Sequence, residues 1–86
     1  MAEKRVQVEM FSRPGCHLCD DALKVINDAR TRYAFDFRVI NVDEDAERAS
    51  AYVEQIPVIH INGSKAFKFQ VDPSELESKL ERLWNL

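Results

Sequence analysis

The hydrophobic period of the chain changes at Ser12-Arg13-Pro14-Gly15, and that change constrains the fold more than any bulk property. Before it, Val6, Val8 and Met10 alternate with polar residues and lead into Phe11, the period of two expected of a half-buried strand over residues 5–11. After it, from Cys16 to Tyr33, the period becomes helical, and from Phe35 to Val42 the chain returns to a β-rich run. Two strands joined through one helix imply a parallel pair with a right-handed crossover.

The rest of the chain is read in the same way. Glu44 to Val53 carries Ala46, Ala49, Ala51 and Tyr52 among charges, the pattern of a short surface helix. Pro57 to Ile61 reads as a strand, Asn62-Gly63 as a type I′ hairpin turn, and Lys65 to Gln70 as the partner strand. Asp72-Pro73-Ser74-Glu75 supplies an N-cap, a proline at the first helical position and an acid three after the cap. Leu76, Leu80 and Leu83 then recur at i, i+4, i+7 in a helix running to Trp84. The order is βαβαββα, an α/β chain with a four-stranded mixed sheet. With 86 residues and no linker, repeat or biased tract, residues 1–86 are expected to share one core.

Composition narrows the function. The net charge is −3 and no basic stripe occurs, so a phosphate-backbone partner has no electrostatic footprint and nucleic acid is not expected. No apolar run approaches the roughly 20 residues that span a bilayer, and no apolar stretch follows the polar Met1–Arg5. Neither membrane insertion nor signal-driven export is expected.

Both cysteines sit in one tetrapeptide, Cys16-His17-Leu18-Cys19. A bridge across two residues ties no distant segments together, so this usage points to chemistry in a reducing compartment, the cytoplasm, rather than to a secreted scaffold. At about 100° per residue, Leu18, Ala22, Val25, Ile26, Ala29 and Tyr33 fall within roughly 100° of arc. Cys19 lies about 45° from the centre of that arc and Cys16 about 105°, at the very start of the helix. Cys16 is therefore expected to be exposed and Cys19 shielded. The helix start also presents unpaired N–H groups and the positive dipole end, which favour a thiolate. These positions assign attack to Cys16 and resolution of the mixed disulfide to Cys19. A structural pair or half of a zinc site is the competing reading; zinc would need two more donors, and the only histidines are His17 and His60.

Ser-Arg-Pro-Gly-Cys-His-Leu-Cys after a strand, Gln-Ile-Pro-Val before a later strand and Ile-Asn-Gly at a hairpin together resemble the glutaredoxin branch of the thioredoxin superfamily. The resemblance covers nearly the whole chain and is closest to small glutaredoxin-like proteins. It implies a thioredoxin fold, with helices flanking the sheet, and dithiol exchange through nucleophile Cys16 and resolving Cys19. It also implies a cis bond at Pro57 and a substrate edge at Ile56, whose backbone pairs with the substrate. Arg13 takes the place of the family's lysine, a charge that helps hold the thiolate and a glutathione carboxylate.

Three departures from the family's pattern matter. Gly15 replaces the tyrosine before the nucleophile, and His17-Leu18 replaces the Pro-Tyr interior. Lys68-Phe69-Gln70-Val71 stand near the Gly-Gly segment that receives glutathione, where glycine permits close backbone approach. Against thioredoxins, Met10 occupies the place of a buried aspartate. The expected activity is thiol–disulfide exchange on protein or small mixed disulfides by a monomer, with no tightly bound cofactor, no metal and weak use of glutathione. The rival expectations are an iron–sulfur or metal carrier and a non-enzymatic domain that binds a partner at its cis-proline edge. Asp20 lies four residues after Cys16 and opposes a thiolate there, whereas a protonated His17 would favour it. Asp43, Glu44, Asp45 and Glu47 read as a solvated acidic face, and Phe67 and Phe69 as alternating residues of the hairpin strand.

Overall fold

The computed structural model describes residues 6–44 and 54–84. Its elements are β1 (Gln7–Ser12), α1 (His17–Arg30), β2 (Asp36–Asn41), β3 (Val58–Ile61), β4 (Ser64–Lys68) and α2 (Pro73–Trp84). The sheet order is β2-β1-β3-β4, with β1 and β2 parallel and the other neighbours antiparallel. This is the mixed four-stranded sheet expected from the sequence. The helix expected between Glu44 and Val53 falls, apart from Glu44 itself, outside the described residues.

Alternation along β1 sends Val8 and Met10 to one face and Phe11 to the other. Val8 and Met10 join Ile26 and Ala22 of α1, Ile59 of β3, and Leu76 and Leu80 of α2 in the main core. Phe11 packs with Val42 and Val58 in a smaller cluster, against which Ile40 and Ile56 lie. Within α1 the buried residues are Cys19, Ala22, Ile26 and Ala29. Leu18, expected inside the apolar arc, is 40% exposed. The buried stripe is therefore turned away from Leu18 towards Cys19.

The hairpin forms as the Asn-Gly pair dictates, with φ 52° at Asn62 and 83° at Gly63, the left-handed pair that a type I′ turn requires. The Asn62 N–H donates to the Gln7 carbonyl at 2.8 Å and its Oδ1 accepts from the Gln7 N–H at 2.9 Å, tying the turn to the start of β1. A register shift between Ile59 and His60 sets β4 one residue out of step. β4 ends at Lys68, so Phe69 does not continue the strand alternation expected through Gln70. Phe67 is 8% exposed, but Phe69 is 42% exposed, with φ 67°. α2 starts where the sequence places it: Asp72 Oδ1 accepts from the N–H groups of Ser74 at 2.8 Å and Glu75 at 3.1 Å.

Candidate functional site

Strand β1, in the middle of the sheet, delivers the chain to the end of the strands, and Arg13-Pro14-Gly15 turns it into α1. Gly15 has φ 81°, a conformation that a side chain disfavours and glycine adopts freely. Cys16 follows as the N-cap of α1, in extended conformation with φ −92° and ψ 111°. Its Sγ accepts a hydrogen bond from the Cys19 N–H at 3.2 Å. The sulfur thus does what a cap oxygen usually does, satisfying one of the orphan donors of the first turn. Both cysteines are free; Cys16 is half-buried and Cys19 is 4% exposed.

The two thiols therefore sit in different surroundings: Cys19 is shielded as the helical wheel predicts, whereas Cys16, expected to be exposed, is half-buried because its sulfur turns back onto the first turn of α1. Burial pushes the Cys19 thiol up to about 12, helped by its hydrogen bond with Cys16. The Arg13 backbone N–H and the Ser12 hydroxyl pull in the opposite direction without cancelling it. At neutral pH Cys19 is a protonated, shielded thiol behind the accessible one. A cleft of about 290 Å³ lies beside it, lined by Met10, Arg13, Cys19, Asp20, Leu23 and Val39 among others. Asp20 and His17 are exposed on the first turn.

The second side of the site comes from β3. Phe11 pairs with Val58, which sets Pro57 opposite Ser12, the last residue of β1. The Ile56–Pro57 bond is cis, Pro57 is fully buried, and Ile56 is partly buried against the smaller cluster. The Pro57 carbonyl accepts from the Phe69 N–H at 2.8 Å, which places the segment after β4 beside the proline. The structure thus gathers Cys16, Cys19, Arg13, Ile56 and Pro57 at one end of the sheet.

Arg13 has a partner that sequence reasoning missed. Its Nη2 donates to Asp43 Oδ1 at 2.7 Å. The Asp43 carboxylate, placed in a solvated face by the sequence pattern, is held below its ordinary range by that guanidinium. The parallel register contained the signal: Ser12 lies opposite Asn41, and the Val42 N–H donates to the Ser12 carbonyl at 2.9 Å. Residues that leave β1 and β2 must therefore meet. Among the described residues, no group of three or more His, Cys, Asp or Glu side chains comes together as metal ligands, and no helix is long and apolar enough to cross a membrane.

Comparison with known proteins bears on the family and the fold. The family model described as a glutaredoxin-like domain matches residues 7–81. A glutaredoxin-like protein of Dictyostelium discoideum is 30% identical over 87 residues, covering 93% of this chain and 80% of that protein. A thioredoxin of Methanocaldococcus jannaschii is 32% identical over 66 residues, 73% of this chain and 78% of that one. Among solved structures, a mutant thioredoxin from Halobacterium salinarum superposes with a TM-score of 0.73 at 22% identity, covering 94% of this chain and 76% of its own. The fold is a thioredoxin fold.

Proposed function

Because the chain belongs to the glutaredoxin-like domain family, and its fold and relatives support a redox role, we propose that it is a thiol–disulfide oxidoreductase cycling between the Cys16/Cys19 dithiol and disulfide. The observation that carries this reading is the asymmetry of the pair: the sulfur of a half-buried Cys16 capping α1, with a buried, protonated thiol one turn behind. The Cys16 thiolate attacks a substrate disulfide, forms a mixed disulfide and releases the substrate's other sulfur as a thiolate. Cys19 then gives up its proton and attacks Cys16, closing the intramolecular disulfide and releasing the second substrate thiol. Two electrons pass to the substrate, and a dithiol reductant restores the pair. Arg13 and the Ile56–Pro57 edge line the approach to Cys16.

The substrates that fit are protein disulfides and small mixed disulfides, in a reducing compartment such as the cytoplasm. Glutathione fits poorly, since Phe69 holds a left-handed backbone conformation yet keeps a side chain where the family's glycines let that ligand approach. The test is capture. Cys19→Ser protein, offered a small mixed disulfide, should accumulate a stable adduct on Cys16, and wild-type protein should clear it by closing its own disulfide. An adduct on Cys19 in the Cys16→Ser protein formed at an equal rate, or no adduct at all, would overturn the proposal.

A further inference from the structure

The cation nearest the nucleophile in sequence is already occupied. Arg13, three residues before Cys16, holds its guanidinium on the Asp43 carboxylate at 2.7 Å. The backbone that carries the carboxylate is itself held, since the Asp43 N–H donates to Asn41 Oδ1 at 2.8 Å. Both side chains remain open to solvent, at 40% and 54% exposure. This is a weak pair in a place where charge matters. Arg13 also lines the cleft beside Cys19, together with Asp20, a second carboxylate. An incoming anionic group would have to displace Asp43 before it could use Arg13, so its affinity is lowered in proportion to the fraction of time the pair is closed.

We propose that Asp43 is a specificity-determining residue: by occupying Arg13 it turns the Cys16 site away from anionic disulfides and towards neutral or cationic ones. This inference rests on the reading of Cys16 as the reacting thiol and adds to it the charge class of the substrate. A neutral or cationic disulfide meets no uncompensated cation at the site and needs no displacement of Asp43.

Alkylation isolates the effect. Iodoacetate and iodoacetamide react alike: the Cys16 sulfur forms a bond to the CH2 carbon and iodide leaves. They differ in charge, so the ratio of their rates cancels the thiolate fraction and reads the field at Cys16. The ratio is measured on the reduced protein at neutral pH and low salt, with mass mapping of the modified cysteine. The chains compared are wild type, Asp43→Asn, Arg13→Gln and the double variant. Asp43→Asn should raise the iodoacetate-to-iodoacetamide ratio about 2- to 5-fold at low salt, with the gain shrinking at high salt. In the Arg13→Gln background most of that gain should vanish. An unchanged ratio in Asp43→Asn, or an equal gain with and without Arg13, would overturn the role of Asp43 while leaving a reactive Cys16 intact. If Cys16 is not modified ahead of Cys19, the redox reading fails, and the specificity inference fails with it.

Discussion

Phe69 holds a backbone conformation that suits glycine, with φ 67°. For a residue with a Cβ the left-handed region costs roughly 1–2 kcal/mol, and here the surrounding pairing holds it in place: the Phe69 N–H donates to Pro57 and the Gln70 N–H to Lys68. The ring gains little in return, being 42% exposed with Lys68 Nζ 5.7 Å from its centroid. Two truncations separate backbone from ring. Phe69→Ala and Phe69→Gly lose the same ring, and at an ordinary position glycine would be the less stable by about 0.4–1 kcal/mol. Here the order should invert, with Phe69→Gly more stable than Phe69→Ala by about 1 kcal/mol, read as a higher urea midpoint at unchanged slope. Nothing in the sequence marks this conformation, because phenylalanine after a hairpin strand reads as strand. Asp43 escaped for a related reason: its partner lies thirty positions away in sequence, and only the strand register brings the two together.

At the scale of the element, local chemistry and packing divide the work, and the sequence was most informative where both agree. α2 begins at the Asp72 cap and buries Leu76 and Leu80 almost completely. Removing the cap by Asp72→Ala should cost about 1 kcal/mol, whereas Leu80→Ala should cost about 2–5 kcal/mol, because it leaves a cavity in the main core. Thermal midpoints of the two variants give the comparison. An equal loss would mean that the cap, not the leucines, holds the helix. The start of α1 was legible in the same way, since a proline-glycine turn before a helical period places Cys16 at the cap. Its buried face was less so: Leu18 is apolar but exposed, because a helical wheel weights residues by type and not by what lies opposite. The hairpin was legible down to its two turn residues. The register shift between Ile59 and His60 was not, since it depends on how β4 meets its neighbour.

For the whole molecule, the buried thiol links redox state to stability. Cys19 is neutral in both the folded and the unfolded chain below about pH 9, its ordinary value, and there it adds no pH dependence. Between 9 and about 12 the unfolded chain gives up this proton while the folded chain keeps it, so rising pH favours unfolding. The loss should approach 1.4 kcal/mol per pH unit, roughly the value of one proton held by one state and not the other. Other groups also titrate there, so the measurement is a difference. Urea unfolding of the reduced wild type and of Cys19→Ala, followed from pH 8 to 11, should give diverging slopes, the wild type falling faster. Oxidised wild type has no Cys19 thiol to ionise and should lose the part of the slope that Cys19 supplies. Parallel lines for reduced wild type and Cys19→Ala would mean that Cys19 is not shielded, and would remove the asymmetry on which its role as the second, resolving thiol depends.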